Sequence, residues 1–143
     1  MTRPSVITFS VPGKPAPQGS KRHVGRGVLV ESSREVGPWR ERVALAADNA
    51  MGGRELVAGA VTVGLDFVLP RPKSAPKRST PLAVKRPDID KLARACLDAI
   101  TGIIVGDDAQ VVDLRAAKRV AEIGEIPGVG VTVAILTGQR TEL

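Results

Sequence analysis

Aromatic side chains are almost absent: Phe9, Trp39 and Phe67 are the only ones in 143 residues, and there is no tyrosine. A chain so composed lacks the stacking platforms by which single-stranded nucleic acid is generally gripped. Its core has to be aliphatic. Cysteine is nearly absent too. Cys96 stands alone, which excludes an intramolecular disulfide and any multi-cysteine zinc site. Its apolar neighbours at helical spacing mark it as a small buried hydrophobe. His23 is the single histidine, so histidine-based metal chemistry loses its ligands, and the residue reads as a solvated loop position. Ser32-Ser33 has no base partner for nucleophilic catalysis. No apolar run is long enough to span a membrane, and Pro4, Pro12, Pro15 and Pro17 break up the amino end where an export signal would need an apolar stretch. The expected setting is a reducing cytoplasm, with no membrane partner.

What the chain does have is aliphatic bulk and positive charge. At 15.0 kDa and 43% hydrophobic residues it can bury a core, and a single domain over residues 1–143 is expected. The formal net charge is +6 and the isoelectric point about 10.1, which points to a polyanionic partner. The charge is unevenly spread. Residues 1–30 and 71–87 contain no acid at all. Ser20, Lys21, Arg22 and Arg26 in the first segment are candidate phosphate contacts. So are Lys73, Lys77, Arg78, Lys85 and Arg86 in the second. Gly13-Lys-Pro-Ala-Pro-Gln-Gly-Ser-Lys21 superficially suggests a nucleotide phosphate loop, but its glycine spacing is wrong and serine precedes lysine. Two prolines also remove N–H donors that such a cradle would use.

Along the chain, Ser5–Val11 alternates as a first strand and Val28–Val30 as a short one. Pro38 is placed to open a helix running to about Ala50, with Trp39, Val43, Ala46 and Ala47 inward and Gly52-Gly53 ending it. Ala60–Leu69 alternates strictly, as a half-buried strand does. Pro70–Pro87 is a long proline-rich basic connection, the kind of loop that is commonly functional or disordered. Asp90–Ile100 reads as a second helix with Leu92, Cys96, Ala99 and Ile100 inward. Val111–Val120 and Val129–Leu136 read as two strands paired in an antiparallel hairpin through Gly124–Gly128. The expected class is α+β: a mixed sheet of four or five strands with two main helices packed on it.

Six of the eight aspartates fall between residues 88 and 113: Asp88, Asp90, Asp98, Asp107, Asp108 and Asp113. In a basic chain such crowding needs a reason. Asp88 and Asp90 flank a helix start, where carboxylates are favoured by free N–H groups and the helix dipole, so capping accounts for them singly. Asp107-Asp108 lies in a turn before a strand. Were the two pairs to converge, a hard oxygen-seeking cation such as Mg²⁺ would be needed to offset their repulsion. Two such ions about 4 Å apart can activate water and stabilise a leaving oxygen in phosphodiester hydrolysis. Arg94, four residues after Asp90, shares its helical face and can orient that carboxylate or meet phosphate charge. As a bare surface pair with Asp90 it would contribute only tenths of a kcal/mol.

Arg86-Pro-Asp-Ile-Asp-Lys-Leu-Ala-Arg94, Leu97-Asp-Ala-Ile100 and Gly106-Asp-Asp-Ala-Gln-Val-Val-Asp113 together resemble the RusA family of Holliday junction resolvases. That family carries a D-x-D-N-L-x-K helix start, a D-A-L segment and a D-D-x-Q-V segment. The resemblance is close over residues 85–118 and looser at the amino end. It implies that Asp88, Asp90 and Asp108 are metal-binding catalytic carboxylates, with Asp107 as an adjacent acid. It further implies Mg²⁺ or Mn²⁺ as cofactor with no small-molecule cofactor, a homodimer, and branched DNA as partner in a bacterial or phage-infected cell. Two positions depart from the pattern. Lys91 stands where asparagine is usual and joins the candidate DNA contacts; Arg94 stands where lysine is usual. A guanidinium stays charged and forks, so Arg94 is assigned to electrostatic stabilisation rather than proton donation. Asp98 and Asp113 are assigned to structure. Two rival functions remain open at this level: a non-catalytic architectural DNA-binding protein, and a related nuclease acting on other branched DNA.

Overall fold

The computed structural model describes residues 5–19, 21–23, 29–31 and 34–136, with backbone alone for 21–23 and 29–31. Six strands and two helices follow one another as β1 (Val6–Pro12), β2 (Lys21–His23), β3 (Leu29–Glu31), α1 (Val36–Met51), β4 (Val61–Leu69), α2 (Ile89–Ile100), β5 (Val111–Val120) and β6 (Gly128–Ile135). β2 and β3 form a small antiparallel ribbon of their own. The other four strands make one mixed sheet in the order β1-β6-β4-β5, and both helices pack against it, so the α+β expectation holds.

The alternation of β4 explains the layering. Val61, Val63, Leu65, Phe67 and Leu69 are buried, while Asp66 between them is exposed. Val129, Val131 and Val133 of β6 and Ile7 and Val11 of β1 extend the same inner face. α1 covers it with Val36, Trp39, Val43, Ala47 and Met51, and α2 with Leu92, Ala93, Ala95, Cys96, Leu97, Ala99 and Ile100. Burial pushes the Cys96 thiol up to about 12, so it remains a protonated, inert core group. α1 begins at Val36, two residues before Pro38, because a proline in the first turn removes no helical bond. Gly52 ends it in the left-handed region at φ 58°, its N–H donating to the Asp48 carbonyl.

The expected hairpin of the last two strands does not form. β5 pairs in parallel with β4, and β6 pairs antiparallel with β4 on its other side and with β1. The reason lies in which strand merits the interior. β6 carries a fully buried valine row, whereas β5 has only Val120 buried and presents Asp113, Arg115 and Arg119 to solvent. A charged strand suits the sheet edge. The parallel β4–β5 pair is then connected through α2, as parallel neighbours require a crossover. Residues 121–127 carry the chain past the end of β4, starting with the Ala121 N–H on the Leu69 carbonyl at 2.9 Å. At the far side Gly128 lies so close to Val11 and Pro12 that an added Cβ would collide with the Val11 carbonyl.

That crossing is fastened by a fork-to-fork pair: both terminal nitrogens of Arg119 donate to the Glu125 carboxylate, each at 2.6 Å. These hydrogen bonds hold the Glu125 carboxyl down at about 2, against an ordinary 4.5. Because the folded value is depressed, the pair's stabilisation is complete above about 4.5 and is lost as pH falls towards 2. Urea midpoints measured from pH 5 down to 2.5 should therefore fall less steeply for Glu125→Gln than for the wild type. Parallel slopes would show that the pair contributes nothing in solution.

Candidate active site

The start of α2 positions the first two carboxylates. Asp88 takes the N-cap place with extended backbone (φ −72°, ψ 139°), and its carbonyl accepts from the Leu92 N–H at 3.1 Å. Its side chain makes no capping hydrogen bond. The carboxylate that capping alone would occupy is left exposed. Asp90, in the first turn, is exposed as well, and the N-terminal end of the helix dipole favours its charge. The Arg86-Pro87 peptide just before them is cis.

The second source of acid is a turn built by a glutamine. Gln110 accepts the N–H groups of Gly106 and Asp107 through Oε1, both at 3.0 Å. Through Nε2 it donates to the carbonyls of Val57 at 2.7 Å and Gly59 at 2.9 Å. All four contacts go to backbone, so this side chain fixes the turn to the segment before β4. Asp107 closes the turn from the other end, accepting the Ala109 N–H at 2.8 Å. It is here that an aspartate caps. Asp108 is left free to reach α2, where Arg94 donates to its Oδ2 at 2.9 Å.

Arg94 is thus the link between the two acidic segments, though not through the partner expected for it. Its ion pairs are with Asp108 and, at 3.9 Å, with Asp98 one turn on, rather than with Asp90. The physical reason is reach: Arg94 sits between the two, and the docked turn offers a closer carboxylate than Asp90 does. Asp90, Arg94 and Asp98 recur every four residues and so share one stripe of α2. Asp108 hangs on the middle of that stripe, about 6 Å along the axis from the level of Asp90. Asp98 also meets Arg40 of α1 at 3.8 Å, and Arg40 donates to the Gln18 side chain at 2.9 Å. Its structural assignment fits this bracing between helices. Asp113 pairs only loosely, with Arg115 at 4.0 Å on the edge strand. Among the described residues, no three acidic, histidine or cysteine side chains gather closely enough to hold a metal ion between them.

A cleft of about 570 Å³ opens beside the helix start, lined among others by Lys14, Gln18, Arg86, Asp88 and Lys91. Asp90, Arg94 and Asp108 lie outside its lining, so it flanks the acidic stripe without containing it. The Gln18 N–H donates to the Lys91 carbonyl at 2.9 Å and ties the amino-terminal loop to α2. Lys73, Lys77, Arg78, Lys85 and Arg86 are exposed, Lys91 half-buried, and none takes part in an ion pair among the described residues. Arg71, from the same basic segment, turns inward instead and organises the loop. It donates to the carbonyls of Pro76, Ser79 and Ala121 and to the Thr80 hydroxyl. Ser20 and Arg26 lie outside the described residues, and Lys21 and Arg22 are described in backbone only, on β2.

Sequence reasoning missed Gln110, Arg40, Gln18 and Lys14. For Gln110 the signal was present: a glutamine at a fixed distance after paired aspartates is placed to reach back to their N–H groups. The others act across 21 or more residues, and nothing local marks them.

A family model described as endodeoxyribonuclease RusA matches residues 12–134, which include both acidic segments, both helices, β4, β5 and all of β6 but Ile135, and reach β1 only at Pro12. The uncharacterized protein YqaN of Bacillus subtilis (strain 168) is 30% identical over 127 residues, covering 81% of this chain and 89% of that protein.

Exposed ion pairs stabilise little, about 0.2–1 kcal/mol. With the Arg94 side chain 53% and the Asp108 side chain 38% accessible to solvent, Arg94→Met and Asp108→Asn should each cost under about 1 kcal/mol in urea unfolding, with coupling of the same small size in the double variant. A coupling of several kcal/mol would make the pair part of the fold rather than of the site.

Proposed function

Because the chain belongs to the RusA endodeoxyribonuclease family, we propose that it is a divalent-metal-dependent, structure-selective nuclease that resolves four-way DNA junctions by paired symmetric incisions. One observation carries this reading: Asp88 and Asp90 stand exposed and uncapped on α2, and Arg94 fastens Asp108 to the same helix. The Asp88 carboxylate is not spent on a capping hydrogen bond, which leaves it open to a cation.

Asp88, Asp90 and Asp108 would hold Mg²⁺, or Mn²⁺ in its place; Asp107, committed to its turn, stands beside them. Their hard oxygen donors suit such an ion. Mg²⁺ is commonly held by one or two carboxylates, with water and substrate phosphate completing its shell, so an open acidic stripe is compatible with it. A bound divalent ion supplies an activated water and offsets charge on the phosphodiester oxygens. Arg94 does the rest of the electrostatic work. Its guanidinium is permanently charged, holds Asp108 in place, and can fork onto a phosphate as charge develops there. It does not donate a proton.

Around this centre, Lys73, Lys77, Arg78, Lys85, Arg86 and Lys91 supply cations with no acidic partner among the described residues, as backbone recognition of DNA requires. Ser20, Lys21, Arg22 and Arg26 would extend that surface. Junction shape rather than base edges would set the choice of substrate. Two symmetric strands must be cut, which a homodimer with two equivalent sites accomplishes. Nicked duplexes with ligatable ends would be the product.

The test is incision of a labelled mobile four-way junction with Mg²⁺, with EDTA, and with Asp88→Asn. Paired symmetric cuts that need Mg²⁺ and vanish in the variant are expected. Tight binding with no cut in either Mg²⁺ or Mn²⁺ would favour an architectural role, and cutting of flaps alone another branched substrate. Asp90→Asn should abolish cutting yet keep or tighten junction binding, since negative charge near phosphate is removed; lost binding would mean a folding role. Neutralising Lys77 and Arg78 together should flatten the plot of log affinity against log salt by about 1.8, two phosphate contacts' worth. An unchanged slope would remove that loop from the interface.

A further inference from the structure

Residues 81–87 lead directly into Asp88 and belong to no regular element. Leu82 and Val84 are more than four-fifths exposed, so their burial does not hold the segment down. A space of about 410 Å³ lies between Pro72 and Val84 of its loop and Leu69 and Val120 at the end of the sheet, and half-buried Ala83 is the apolar side chain by which the segment packs against the core. Yet the direction of the uncapped Asp88 carboxylate depends on where this segment ends.

Beyond that packing, one side chain ties it by hydrogen bonds. Lys118 of β5 donates from Nζ to the Lys85 carbonyl at 2.9 Å and to the Pro87 carbonyl at 2.8 Å, gripping the residues on either side of Arg86. Among the described residues, these are the hydrogen bonds that join residues 81–87 to the rest of the fold. Register explains the aim. Lys118 pairs with Phe67, whose ring is in the core, so both lie on the helix side of the sheet. An ammonium makes charge-assisted bonds to carbonyls, and these outlast neutral ones. The strand that carries Lys118 near its end begins immediately after the Asp108–Gln110 turn. β5 therefore holds both sources of acid, one through its first residues and the other through Lys118.

We propose that Lys118 is a positioning residue: it fixes the approach to α2, and with it the placement of Asp88 and Asp90 relative to Asp108. The inference rests on the nuclease reading above for its consequence, but not for its geometry. Its cation is spent on backbone carbonyls, so it is set apart from the free cations that would meet phosphate.

Three measurements on the full chain test it. In Lys118→Met, amide exchange at Val84 and Leu92, whose N–H groups donate to the Leu82 and Asp88 carbonyls, should speed up about tenfold or more, while amides of β4 and β6 keep their wild-type protection. The single-turnover incision rate should fall about 10- to 100-fold, the scale of a misplaced catalytic group. Junction affinity without Mg²⁺ should change less than about threefold, since no phosphate contact is removed. Lys118→Arg, which keeps charge and donors, should recover part of the rate. Should Lys118→Met fail to fold, Lys118→Gln takes its place, and failure of both would make Lys118 a residue of the fold and overturn the proposal. Unchanged exchange overturns it, as does wild-type incision, or affinity that falls as far as the rate. If the wild type cuts no branched DNA, the nuclease reading falls, and the exchange comparison alone decides whether Lys118 holds the segment.

Discussion

Burial of the inner face of α2 in the core it shares with α1 and the sheet is the constraint from which the site follows. Leu92 and Ile100 are sealed from solvent, and removing such side chains from water is worth roughly 1.5–3 kcal/mol each. The exposed Arg94–Asp108 pair contributes a fraction of that. Packing therefore decides where α2 lies, and the ion pair only trims what packing has placed. The outer stripe of the same helix carries Asp90, Arg94 and Asp98, so apolar residues on one side set the position of charged residues on the other. The crossover from β4 through α2 to β5 then brings the Asp108 turn back to the helix.

Charge in this protein is sorted by what it faces. Arg40, Arg71, Arg94, Lys118 and Arg119 are engaged with carboxylates or backbone carbonyls. Lys73, Lys77, Arg78, Lys85 and Arg86 are not paired with acids among the described residues. A net charge of +6 does not reveal this division. Arg71 shows the difference most clearly: it shares a segment with Lys73 and Lys77, yet its donors close the loop instead of facing solvent. Such sorting lets acids stand exposed next to basic loops without being neutralised by them, the arrangement a site for cation-assisted phosphate chemistry requires.

Where periodicity governed, the sequence was legible. The strict alternation of Val61 to Leu69 and the apolar stripe of Leu92, Cys96 and Ile100 reported their burial directly, because each depends on one element facing one core. The order of strands was not legible. Val111–Val120 and Val129–Leu136 look like hairpin partners along the chain, and only the competition for the central places, won by the valine row of β6, separates them. The site divided in the same way. Asp88, Asp90 and Asp108 stood out by type and spacing, but the partner of Arg94 depended on how the turn docks, a tertiary fact. Gln110 and Lys118 act on backbone carbonyls and amides, which carry no residue identity to read.

The two departures from the family's usual residues acquire a physical meaning from this geometry. An ammonium at position 94 would be a compact point charge on a flexible stem. The guanidinium instead spans Asp98 and Asp108 at once, which ties the acidic turn to the helix while leaving further donors on the fork. Proton transfer is surrendered by that exchange, since arginine does not deprotonate at neutral pH. On the nuclease reading proposed above, the proton for a leaving oxygen would come from solvent, which the exposed acidic stripe admits. Lys91 complements this: it faces the cleft beside Asp88, and its carbonyl anchors the amino-terminal loop through Gln18. On the same reading a cation there would draw phosphate towards the helix start, so both departures would favour charge over proton donation.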